Sequence, residues 1–174
     1  MINSISLWQL SGFAITSVGG TILHFLYEWL GSPWWIASFS GVNESTWEHM
    51  KLLFWPLFTF AIFQGFFARD IENFWGIKLR GIILGLVLIP TIFYLYNGII
   101  GKSPDVINIA IFFIAAAAAY AYETHLFKNP VTSNISPGLA ISILSVIAML
   151  FIIFTFSTPK ISIFKDPITN SYGI

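Results

Sequence analysis

Two histidines and several acids stand out in a chain that is otherwise greasy. His24 and Glu28 close the first long apolar run, and Asn43-Glu44-Ser45-Thr46-Trp47-Glu48-His49 opens the next. Imidazole nitrogens and carboxylate oxygens are donors that zinc and other divalent cations take, and two imidazoles with one carboxylate leave a position for water. A second carboxylate can then accept a proton from the metal-bound water. In this scheme His24, Glu28 and His49 hold the ion, Glu48 is the base, and Ser45 positions water or substrate. Ligation of a haem iron is another use of the same two imidazoles. No single-helix pattern such as H-E-x-x-H gathers these residues, so the fold has to do it.

The elements that must position them are membrane helices. Hydrophobic residue types make up 56% of the 174 residues and charged ones only 9%, against roughly 25% charged in an ordinary soluble domain. A run of about 20 apolar residues crosses the hydrocarbon core as a helix. Five such runs are read here, over 9–31, 46–68, 79–100, 105–127 and 138–158, with a polar tail at 159–174. Backbone groups in lipid must be satisfied internally, and these runs do not alternate as barrel strands do. The expectation is therefore an all-α, polytopic bundle of about five transmembrane helices forming one domain over 1–174. No basic block points to nucleic acid, and the absence of cysteine removes thiolate chemistry. The start MINSISLWQL lacks the charged opening of a cleavable signal peptide, so the first span is expected to stay in the mature protein.

Five spans put the N-terminus, loop 69–78 and loop 128–137 on one side of the membrane (side one). Loops 32–45 and 101–104 and the C-terminal tail then lie on the other (side two). Arg69, Lys78, Arg80 and Lys128 balance Lys51, Lys102, Lys160 and Lys165, so the positive-inside rule gives no majority. The cluster around loop 69–80 favours side one as cytoplasmic. Whatever the orientation, residues 43–49 and the tail share a face and can meet.

Helical spacing sharpens the picture. Gly12, Thr16, Gly20, His24 and Glu28 recur every four residues and fall on one stripe of span 1. Small residues allow close helix approach in membranes, and ionisable ones are costly against lipid, so the stripe should face inward. Ser45-Thr46-Trp47-Glu48 fits the S-x-x-E capping box that opens a helix. That local duty competes with chemistry for Ser45 and Glu48 but leaves His49 unexplained. Asn43, Glu44 and Lys51 would line the pocket, with Asn97, Asp105 and Asn108 as weaker candidates at the same face. The turn-rich tail would fold over its mouth, Asp166 or Tyr172 contributing. Pro56 and Pro90 interrupt hydrogen bonding inside spans 2 and 3, and Ala115 to Ala119 suit a close helix contact. His125, beside Glu123 and Lys128, reads as an interfacial residue a membrane thickness away, roughly 30 Å.

The string Asn43-Glu44-Ser45-Thr46-Trp47-Glu48-His49-Met50-Lys51-Leu52-Leu53-Phe54, following His24 and Glu28, resembles the hallmark of an uncharacterised family of small polytopic prokaryotic membrane proteins. The ending Asp166-Pro167, then Tyr172-Gly173-Ile174, is similar to that family's ending, and the likeness covers the whole chain. It implies residence in a prokaryotic plasma membrane and brings no activity, substrate or cofactor. Ser45-x-x-x-His49 at a helix start, with an acid on helix 1, is also similar to part of the pattern of alkaline ceramidase-like membrane hydrolases. This chain departs from them in having five spans and no H-x-x-x-H in the last.

Three functions follow as expectations. One is a metal-dependent membrane hydrolase acting on a lipid or other amphiphile. Another is a transporter or channel for a small ion, proton or solute, with a homo-oligomer supplying any polar groups the spans lack. The third is a non-catalytic partner or ligand-binding protein of the bilayer.

Overall fold

The computed structural model describes residues 2–101, 104–129 and 135–174. Lys102 and the side chain of Asp105 lie outside the described residues. Helix α1 spans Ile2–Trp29, α2 Trp34–Ala37, α3 Thr46–Phe67, α4 Phe74–Ile99, α5 Asp105–Lys128 and α6 Pro137–Phe156, followed by a 3₁₀ turn at Ser162–Phe164. Five of these six, all but α2, are long and apolar enough to cross a membrane. Among the described residues the extended pairing is confined to one antiparallel bridge, Lys165 with Tyr172.

Local chemistry explains the ends. Ser45 starts α3 by accepting the Glu48 N–H at 3.3 Å, and Ser136 does the same for Leu139 at the start of α6. Helix α1 stops where Gly31 and Ser32 take positive φ, and the Ser32 N–H returns to the Tyr27 carbonyl. Helix α4 starts at Phe74, five residues before the expected start of span 3. Lys78 was expected to close loop 69–78, yet it is buried within the helix.

Helix α3 lies at the centre. It packs against α1, α4, α5 and α6, while α5 seats against both α4 and α1. The core is built from Leu53, Phe54, Leu57 and Phe60 of α3, Ile82 and Leu86 of α4, Ala115, Ala116 and Ala119 of α5, and Leu144 and Phe151 of α6. The alanines of α5 make the close contact expected of them: a Cβ on Gly85 of α4 would lie 3.4 Å from the Ala119 Cβ. Outward-facing positions are large and apolar, among them Leu10, Val18, Phe66, Ile99, Val106 and Met149. An exterior of this kind needs lipid around it.

The α1 stripe faces inward as its spacing requires. Thr16 is fully buried and shares a 2.8 Å hydrogen bond with the Tyr120 hydroxyl of α5. A Cβ on Gly12 would come within 2.5 Å of both the Phe60 and Tyr120 rings, so α1 sits where only glycine fits. One helical turn beyond Thr16, Gly20 lies under the Phe112 ring and beside the Leu52 carbonyl.

Candidate functional site

At side two the last turns of α1 and the first turn of α3 bring the two imidazoles together. The ring centroids of His24 and His49 are 5.9 Å apart. The carboxylate between them belongs to Glu44. Its two oxygens lie 3.6 Å from His24 Nε2 and 3.6 Å from His49 Nε2. Glu28 does not join them, because α1 ends one residue later and leaves its side chain exposed.

His49 Nδ1 is 3.0 Å from the Ser45 carbonyl. A carbonyl can only accept, so Nδ1 carries the hydrogen, and in the neutral ring Nε2 presents a lone pair toward Glu44. A lone pair facing a carboxylate oxygen is repulsive unless a proton or a cation sits between them. Among the described residues no group of three or more His, Asp or Glu side chains is arranged to hold a metal ion.

Behind this cluster lies a cavity of about 220 Å³ between α1, α3 and α5. Gly20, Leu52 and Phe112 line its interior, His24 and His49 its head, and Phe25 and Phe113 belong to the lipid-facing surface. Asn108 borders a much smaller void beside His49, whereas Asn97 turns back to the Phe93 carbonyl of its own helix.

Ser45 and Glu48 have structural duties. Glu48 is 2.6 Å from the Lys51 ammonium and also accepts the Val42 N–H at 3.1 Å. The capping box is thus only half formed, since the Ser45 N–H donates to Asn43 Oδ1 at 2.9 Å instead of to Glu48. Lys51, fully buried, donates further to the Ala37 carbonyl at 2.7 Å and to Thr155 Oγ1 at 3.0 Å. Three acceptors meet three N–H donors, and the set binds α2, α3 and α6 into one block.

The tail reaches the motif through backbone and aromatic contacts. Asn43 Nδ2 donates to the Gly173 carbonyl at 3.0 Å, and Phe164 packs on Trp47 with centroids 4.6 Å apart. Asp166 is buried in its own turn, accepting from the Ile168 N–H at 2.7 Å and the Thr169 hydroxyl at 2.8 Å. Tyr172 pairs with Lys165. Neither side chain enters the His24–Glu44–His49 cluster.

The chain matches, along residues 1–174, the model of a family of unknown function (DUF6512). It belongs to that family. No curated protein and no solved structure matches it.

The family's chemistry is thus to be read from this chain's own side chains, and side one holds a second polar group. Lys78 of α4 and Glu123 of α5, both fully buried, are 2.6 Å apart, and Lys78 also donates to Gln9 Oε1 of α1 at 3.3 Å. The ammonium lies 5.4 Å from the Tyr120 ring centroid and 5.7 Å from that of Phe60. Gly81 leaves the space that the Glu123 carboxylate occupies. The sequence carried one sign of this pair: Gln9 is three residues before Gly12 and extends the inward stripe toward side one. His125, near the end of α5, is exposed.

Proposed function

We propose that this protein takes an amphiphile from the bilayer into the α1–α3–α5 cavity and hydrolyses its polar head at His24, Glu44 and His49. The observation that carries the reading is the convergence of two imidazoles and a carboxylate at the head of an apolar cavity next to lipid-facing residues. An alkyl chain gains little by leaving lipid for an equally apolar cavity. Selection of the ligand then rests on what the head meets. Hydrolysis suits the groups there: water adds to a carbonyl or phosphoryl centre, one imidazole takes its proton, and the other protonates the leaving oxygen as that bond breaks. A divalent cation drawn in between the Nε2 atoms and Glu44 would activate the same water. Glu44 thereby takes the place expected for Glu28, and Glu48 and Ser45 support the site instead of acting in it.

Native mass spectrometry and elemental analysis test this on wild-type protein beside His24→Ala, His49→Ala and Glu44→Gln. The expected result is a bound amphiphile in the wild type that all three variants lose. Stoichiometric metal marks the cation-assisted form, and release of the head group from the bound amphiphile by the wild type and by none of the variants marks hydrolysis, where binding without release refutes it. Undiminished amphiphile in the variants refutes the site.

The buried Lys78–Glu123 pair supports a second reading, passage of a proton or small ion, because ionisable groups inside a membrane mark such pathways. Proteoliposome flux that falls with Glu123→Gln and not with Glu44→Gln would favour it over hydrolysis.

A further inference from the structure

A separate cavity of about 220 Å³ opens at side one, between the first turns of α1, the end of α3 and the last turn of α5. Its rim carries Asp70, in the connection that follows α3. Its walls include Trp8, Phe67 and Phe127. Trp8 and Phe67 form one continuous aromatic wall, with centroids 5.6 Å apart, and Phe127 comes from α5.

The interior is lined by Gln64, one helical turn before α3 ends. Gln64 is only 3% exposed, its Oε1 has no donor, and among the described residues its side chain makes no hydrogen bond. A buried amide without a partner is costly, and such a group in a native fold asks for a missing ligand or water. Gln64 Oε1 is thus an acceptor without a donor in the wall of the cavity.

We propose that this cavity binds an organic ammonium group. Aromatic faces attract cations, a carboxylate at the mouth adds long-range attraction, and the amide oxygen of Gln64 accepts one ammonium N–H. The nearby Lys78 is paired with Glu123 at 2.6 Å and already lies 5.9 Å from the Phe127 ring centroid, so the cation contact falls to Trp8 and Phe67, with Asp70 set against its neighbour Arg69. Asp70 is exposed and has no ion-pair partner among the described residues. The volume lies below the 300–1,000 Å³ or so of drug-sized sites, which suits a small head such as an alkylammonium. The mouth lies at the water boundary, so the ammonium can come from an ethanolamine lipid headgroup or from a free amine in solution.

Calorimetric titration with ethylammonium, in a detergent free of amines, is the test. Saturable binding is expected, weakened about threefold by Asp70→Asn and about fivefold to tenfold by Gln64→Met. Gln64→Met keeps the shape and removes a partnerless amide, so it should fold. Repeating the titration in nanodiscs separates the sources. Phosphatidylethanolamine that abolishes ethylammonium binding, where phosphatidylglycerol does not, assigns the lipid head. Equal binding in both assigns a free amine. No saturable binding, equal binding of neutral propanol, or binding untouched by both variants overturns the proposal. None of these results depends on His24, Glu44 or His49, so this site and the side-two site stand or fall separately.

Discussion

Lys51→Met is the sharpest probe of how side two is held together. The ammonium is fully buried and meets Glu48, Ala37 and Thr155 at 2.6, 2.7 and 3.0 Å. Methionine keeps much of the shape and removes the charge. Glu48, 3% exposed, would then be left with the Val42 N–H as its remaining donor. Removing one partner of a buried pair costs about 3–5 kcal/mol. In a chain of this size each kcal/mol moves the melting temperature by about 2–4 °C, so a fall of about 10 °C is expected in detergent, followed by tryptophan fluorescence. The double variant Lys51→Met/Glu48→Gln removes both charges, and much of the loss should return. A single variant as stable as wild type would refute the assigned role of the pair. So would a double variant whose loss equals the sum of the two singles.

Three other outcomes follow from the packing. Gly20→Leu drives a side chain into Phe112 and the Leu52 carbonyl. It should cost about 1–3 kcal/mol as overpacking and fill the cavity, eliminating amphiphile binding by native mass spectrometry. Tyr120→Phe removes one buried hydrogen bond to Thr16. It should lower unfolding stability in detergent by about 0.5–1.5 kcal/mol and leave side-two binding unchanged. Asn43→Ala takes away the donor to Gly173 and the acceptor for the Ser45 N–H, so hydrogen exchange should quicken in residues 166–174 while the α4–α5 contact stays protected.

Much of this molecule was legible before any coordinates, where one periodicity governs a long stretch. The five crossings follow from apolar runs, and the inward face of α1 follows from Gly12, Thr16, Gly20 and His24. Ser45 announced the start of α3. Glu28 shows the limit of that reasoning: the four-residue step carried the stripe to a helix end, where the chain turns at Gly31 and Ser32 and the side chain meets solvent. Glu44 sits in a loop, where no period says which way a side chain points. Lys78 and Glu123 resembled interfacial charges because hydropathy counts a charge without its partner, and the partner lies 45 residues away on another helix. The short helix α2 is a single turn, too brief for its pattern to separate from a loop rich in Pro and Trp.

The most direct measurement is the ¹⁵N spectrum of the imidazoles, since the chain has only three histidines. One carboxylate shared by His24 and His49 means that Glu44→Gln moves the ring resonances of both and leaves those of His125 in place. If only one of the two moves, or neither does, the side-two groups do not form one site.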